Sequence, residues 1–159
     1  MVRIGIGVDV HPFQNVPGHL RLGGIAIPFE KTLAGHSDAD VVLHAVIDAV
    51  LGALAEGDIG GHFPDNDATY RGADSGDLCR RVWGIARERG YRLGNVDVVI
   101  LAERPRIAPH VPAMRGRLAE LLEADISQVS IKATTTEKMG FIGREEGLGA
   151  QAVVLLLPR

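Results

Sequence analysis

The chain has 159 residues, about the size of one globular domain, so a second independently folding unit is not expected. A composition of 46% hydrophobic, 23% charged and 4% aromatic residues with 20 glycines excludes a disordered chain and describes an aliphatic core. A net charge of -3 offers no basic field for nucleic acid, the single Cys79 excludes an internal disulfide and reads as a small buried hydrophobe, and no apolar run reaches the roughly 18 residues of a membrane span.

The opening residues MVRIGIGVDVHPF read as structure rather than as a cleaved signal, which points to a cytoplasmic protein without membrane or nucleic-acid partners. Val2, Ile4, Ile6, Val8 and Val10 alternate with Arg3, Gly5, Gly7, Asp9 and His11, predicting a strand with two different faces that ends at Pro12 and the Asn15 to Gly18 turn. Leu20 to Gly23 and Ile25 to Phe29 predict a hairpin turning at Gly23-Gly24. From Asp38 to about Ala55 the residues are nearly all apolar helix formers, so a helix buried on most sides is expected, with Ser37 and Asp40 as a capping box and Gly57 as its stop. Residues 57–74 lack periodicity and form a loop long enough to suggest function. A helix from Ser75 to about Arg89 follows, then a strand at 96–101, a loop at 102–108, a helix from Pro112 to Glu123 and a strand from Val129 to Ala133. The segment after it reads as a loop or short helical turn, and Ala152 to Leu157 as a last strand. This order predicts the α+β class: a single-domain mixed β-sheet, residues 1–159, with helices packed on one face.

Asp9 and His11 are two apart on a strand, so their side chains leave the same face. Gly5 and Gly7 precede them on that face, where glycine marks close approach by another element. Carboxylate and imidazole suit a cation such as zinc but need a third ligand, for which His44 in the apolar helix is the candidate. Asp40 and Asp48 lie one turn before and after it, and either is placed to orient the imidazole. Such a set leaves one tetrahedral position open, as catalytic zinc sites do. His36 and Ser37 sit where a helix N-terminus favours anions, although Ser37 is equally a capping residue. Thr134-Thr135-Thr136-Glu137-Lys138 brings hydroxyls, amides, a cation and a carboxylate together after a strand, which suits a phosphate and a hard divalent cation. Asp58, Asp65 and Asp67 suit sugar hydroxyls and loop turns alike.

Six segments in order, GIGVDVHPF, AGHSDADVVLHAVIDAVLGA, GDIGGHFPD, GADS, ERPRIAPH and IKATTTEKMGFIGREEG, together resemble the 2-C-methyl-D-erythritol 2,4-cyclodiphosphate synthase family over nearly the whole chain. The resemblance implies a homotrimer with active sites between subunits, with zinc and magnesium (or manganese) as cofactors. The reaction implied converts 4-diphosphocytidyl-2-C-methyl-D-erythritol 2-phosphate to the 2,4-cyclodiphosphate and CMP in the non-mevalonate isoprenoid route. Carried onto this chain, Asp9, His11 and His44 become zinc ligands and Glu137 the magnesium ligand, while His36 and Thr135 take catalytic roles. The substrate-binding set becomes Asp9, Val10, His11, His36 and Ser37, then Asp58, Ile59, Gly60, Phe63, Pro64, Asp65, Asn66 and Asp67 for the methylerythritol. The cytidine and diphosphate set becomes Ala102, Glu103, Arg104, Pro105, Arg106, Ile107 and Ala108 with Ala133, Thr134, Thr135, Thr136 and Glu137, joined by Phe141 and Arg144. Two departures stand out: Arg106 where the family commonly has lysine, and Glu145 where it has glycine, which puts a carboxylate next to Arg144 in sequence and casts doubt on an axial anion site. Attack of one phosphate on another explains why no Ser-His-Asp or Cys-His set is visible, because a phosphate monoester loses its second proton near pH ~6 and needs no base.

Overall fold

The computed structural model describes residues 1–159. Its strands are β1 (Arg3–Gln14), β2 (Gly18–Leu22), β3 (Ile25–Phe29), β4 (Thr32–Leu33), β5 (Tyr91–Leu101), β6 (Val129–Thr134) and β7 (Gly147–Pro158). Its helices are α1 (Val41–Ala53), α2 (Ile59–His62), α3 (Ser75–Glu88), α4 (Val111–Leu121) and α5 (Gly140–Gly143). Five strands form one sheet in the order β4-β1-β7-β5-β6, antiparallel except for the β5–β6 pair, and β2–β3 form a separate hairpin. The expected α+β arrangement of a mixed sheet with helices on one face is therefore present. Val96, Val98 and Ile100 of β5 and Ala152, Val154 and Leu156 of β7 are buried with α1, α3 and α4 in one continuous core.

The glycine face of β1 sets the geometry of the site. A Cβ added at Gly5 would lie 1.8 Å from the Ala49 carbonyl oxygen, and one at Gly7 would lie 1.9 Å from that of Ala45. Helix α1 thus rests its backbone on the strand, with Ala45, Ala49 and Ala53 spaced one turn apart. Beyond the glycines, Asp9 and His11 continue the same face and meet the start of that helix. The opposite face of β1 leaves Ile4, Ile6, Val8 and Val10 exposed.

Several local expectations need correction. Pro12 does not end β1, which pairs through it to Gly147; proline withholds only its missing N–H, and its carbonyl accepts from Ala34 N at 2.9 Å. Helix α1 begins at Val41, and its cap is Asp40 alone, accepting from Leu43 N at 3.0 Å; Ser37 does not cap it. Its C-cap is Leu54, ahead of Gly57. The 57–74 loop contains α2 and a 3-10 turn at Ala68–Tyr70. β5 and β7 extend well before the apolar runs that marked them, β7 beginning at Gly147 rather than Ala152, and the two-residue β4 carries no pattern long enough to read.

Candidate active site

Asp9 Oδ2 lies 2.9 Å from His44 Nδ1 and 3.0 Å from His11 Nε2, and one ligand atom from each residue falls within 4.8 Å of the others. The remaining ring nitrogens are engaged behind them. His11 Nδ1 donates to the Ala34 carbonyl at 2.7 Å, which leaves Nε2 as the lone-pair nitrogen of the neutral ring. His44 Nε2 lies 2.8 Å from Ser75 Oγ and 3.1 Å from Ser37 Oγ. Three acceptor atoms turned on one point repel one another unless a cation or added protons stand between them, so the donor set fits a divalent metal. Burial alone would raise the Asp9 carboxyl, but its hydrogen bonds with the two histidines outweigh that and hold it below its ordinary value. The bond with Asp9 in turn raises His11, against the opposing effect of burial.

The partner expected for His44 among its own helix's carboxylates is not there. Asp48 instead accepts from Ile59 N at 2.7 Å, fixing the start of α2, while Asp40 accepts from Gly23 N, Gly24 N and Leu43 N. Ser75, at the head of α3, fills the place. Nothing in the spacing of the sequence points to it, because the contact joins residues 31 apart.

Asp9, His11 and His44 line a cavity of about 170 Å³ with His36, Ser37, Ile59, Gly60, Phe63 and Asp65, all expected from the sequence, and with Tyr70 and Leu78, which were not. Tyr70 packs edge-on against Phe63 at 5.3 Å between ring centres and so supports the α2 wall. His36 Nε2 is buried without a hydrogen-bond partner. A second, more open groove of about 510 Å³ is lined by Ala102 to Ala108, Ala133, Thr134 and Thr135, together with Phe29. The two cavities share no residue. They lie toward the same end of the sheet, since Asp9 and Ile100 both pair with Ala150 from opposite sides of β7.

Other residues from the sequence reading fall outside both cavities. Val10 faces the far side of the sheet; Asp58 accepts from Gly61 N at 2.9 Å and Asp67 from Thr69 N at 2.9 Å, the turn-forming roles. Pro64, Asn66, Thr136, Glu137, Phe141 and Arg144 line neither cavity. Glu103 receives Thr136 N and Lys138 N at 3.3 and 3.2 Å, shaping the turn that presents Glu137. Glu145 does not pair with Arg144, its neighbour in sequence. It binds Arg104 at 2.8 Å, which holds its carboxyl below the ordinary range, while Arg144 pairs with Glu146 at 2.7 Å. The carboxylate on Arg144 is thus that of Glu146, and that of Glu145 belongs instead to the rim of the second groove.

The YgbB family model matches residues 2–157. The chain is 58% identical to the 2-C-methyl-D-erythritol 2,4-cyclodiphosphate synthase of Halalkalibacterium halodurans over 158 residues, covering 99% of each chain. Its fold is similar to that of bifunctional IspDF from Campylobacter jejuni, with a TM-score of 0.93 and 39% identity, over all of this chain and 43% of that longer one. It is also similar to IspF from Plasmodium falciparum in a CDP complex, with a TM-score of 0.88 and 33% identity, over 99% of this chain and 97% of that one. Family model, curated relatives and solved structures agree with one another, and the chain belongs to the YgbB family, that of the 2-C-methyl-D-erythritol 2,4-cyclodiphosphate synthases.

Proposed function

We propose that the protein converts 4-diphosphocytidyl-2-C-methyl-D-erythritol 2-phosphate to 2-C-methyl-D-erythritol 2,4-cyclodiphosphate and CMP. The observation that carries this reading is the convergence of Asp9, His11 and His44 in one cavity with His36 and Ser37, the chemistry of a site for phosphate and a divalent metal. Asp9, His11 and His44 hold zinc, and Glu137 is the protein ligand to magnesium or manganese, a lone carboxylate being typical for an ion that keeps waters and substrate phosphates around it. When bound, these cations neutralise the phosphates and polarise the phosphorus–oxygen bond under attack.

An oxygen of the 2-phosphate bonds to the β-phosphorus, the bridge to the α-phosphate breaks, and CMP leaves with the bridging oxygen. His36 meets the developing charge with its unpartnered Nε2, and Ser37 adds its hydroxyl. Ile59, Gly60, Phe63 and Asp65 enclose the methylerythritol, with Asp58, Pro64, Asn66 and Asp67 holding the loop around it. The groove of Ala102, Glu103, Arg104, Pro105, Arg106, Ile107, Ala108, Ala133 and Thr134 takes cytidine, with Thr135, Thr136 and Glu137 at the diphosphate. Because the two cavities are separate on one chain, a homotrimer completes each site by setting the groove of one subunit against the metal cavity of the next. Phe141 and Arg144 bind near that junction. The whole chain acts as one synthase domain in the cytoplasm. None of its helices is long and apolar enough to cross a membrane.

Incubation with the cytidine-diphosphate substrate, zinc and magnesium is expected to give CMP and the cyclic product by mass spectrometry. A linear product carrying solvent oxygen would instead identify a phosphohydrolase, and unchanged CMP release after alanine at His11 or Glu137 would leave only a nucleotide-binding module. His44→Ala should lose zinc and turnover together, whereas Glu137→Ala should keep zinc and lose magnesium-dependent turnover, as metal analysis beside the assay will show.

A further inference from the structure

Strands β5 and β6 leave the sheet side by side, with Leu101 opposite Thr134, and their ladder ends where Ala102 N donates to the Thr134 carbonyl at 3.1 Å. Past that bond no backbone hydrogen bond joins the two segments, and Ala102 to Ala108 with Ala133 to Thr135 line the open groove. The Glu103 side chain crosses between them. Its Oε2 accepts from Thr136 N at 3.3 Å and its Oε1 from Lys138 N at 3.2 Å, so both oxygens of one carboxylate close on the turn that follows β6. Glu137, between those two residues, and Lys138 itself have φ of 54° and 64°, a left-handed backbone uncommon outside glycine. A turn of this shape persists only when its surroundings hold it, and bonds from amides to a carboxylate are among the stronger kind. Helix α5 backs the turn from the other direction, with Gly143 so close that a Cβ there would lie 2.1 Å from the Lys138 carbonyl carbon.

We infer that Glu103 is a positioning residue: by holding the amides of Thr136 and Lys138 it locks the turn between them and fixes the backbone from which Thr135 and Glu137 project. A carboxylate only accepts and would repel a diphosphate; turned onto two N–H groups, it braces the site instead. The same turn leaves Thr135 equipped for an anion, because its Oγ1 accepts from Glu137 N at 3.3 Å and keeps its own proton to donate. The brace rests on geometry alone, whereas its effect on nucleotide binding rests on the function proposed above.

The test compares Glu103→Ala with Glu103→Gln, which keeps one acceptor oxygen. In the wild type, hydrogen exchange by NMR should show the Thr136 and Lys138 amides protected despite their place in a surface turn. In Glu103→Ala both should exchange about 10-fold faster or more, as expected for losing a bond to a charged group, and Glu103→Gln should restore one of them. Calorimetric titration with CDP should show affinity falling about 10-fold in Glu103→Ala when magnesium is present and less without it, because a displaced Glu137 no longer shares the ion, with Glu103→Gln in between. Far-ultraviolet circular dichroism identifies a variant that fails to fold, and protection in the wild type stands as a test without either variant. Unprotected amides in the wild type, unchanged exchange in folded Glu103→Ala, or a glutamine variant no better than the alanine one would overturn the inference. Fast exchange in Glu103→Ala with CDP affinity unchanged would likewise overturn the positioning role. Protection that depends on Glu103 in a wild type with no affinity for CDP would instead uphold the brace and overturn the nucleotide reading.

Discussion

Three backbone amides end on the carboxylate of Asp40: those of Gly23 and Gly24 in the hairpin turn, and that of Leu43 in α1. Burial pushes this carboxyl up from 3.8 to about 6, although the amides favour its charged form. Between those values the folded protein carries a proton that the unfolded chain has lost. The residue's contribution is therefore full below pH 3.8 and declines as pH rises to about 6, by an amount of roughly 3 kcal/mol. Denaturation of wild type and Asp40→Asn across this window should show wild type losing stability relative to the variant as pH rises; a constant difference would contradict it. Cys79 offers a simpler check, since burial pushes its thiol up to about 12 and it should resist thiol reagents until the protein is denatured. At this scale, legibility follows sequence distance. Asp9 and His11 could be paired by strand periodicity, and His44 singled out as a polar residue in an apolar helix. Ser75 and Asp38 could not, because neither has a chemical signature until α3 is docked, and the carboxylates that local spacing favoured are occupied elsewhere.

At the scale of elements, the site depends on how close α1 can come to β1. Glycine on the strand and alanine on the helix remove the side chains that would hold the two backbones apart. In Gly7→Ala the new methyl would lie 1.9 Å from the Ala45 carbonyl oxygen, a backbone atom that cannot turn aside. Overpacking of this kind costs about 1–3 kcal/mol, occasionally more. We expect a loss at or above the top of that range, with weakened zinc binding because His44 moves away from Asp9. Urea denaturation and chelator competition on the same variant will check both. The alternation of β1 made the close approach legible without showing which element makes it. The early part of β7 was illegible for a related reason: Gly147 and Gly149 look like loop residues, yet a Cβ at Gly147 would lie 2.4 Å from the His11 carbonyl oxygen. Strand pairing demands the glycine that, in the sequence alone, argues against a strand.

For the whole molecule, the unresolved demand is the far face of the sheet. Ile4, Ile6, Val8, Val10 and Val153 are 41–71% exposed there, forming a contiguous apolar surface across the paired strands β1 and β7. A row of large aliphatic side chains of this kind is unfavourable in water and is the kind of patch that marks an interaction surface. Subunits packed by these faces would be joined through the strand that carries the triad, with Val8 and Val10 flanking Asp9 on the outside. Val8→Glu separates assembly from local folding. Its side chain points away from α1 and from the metal ligands, so the variant should fold and keep zinc. An acidic group at this position should nevertheless be excluded from an apolar interface, because burying an unpaired charge costs far more than one contact returns. We expect light scattering to show a mass near that of one chain and the assay to show loss of CMP release, since in the assembly proposed above each metal cavity is completed by its neighbour's groove. An active Val8→Glu monomer would show that one chain carries a complete site and that the apolar face serves another purpose.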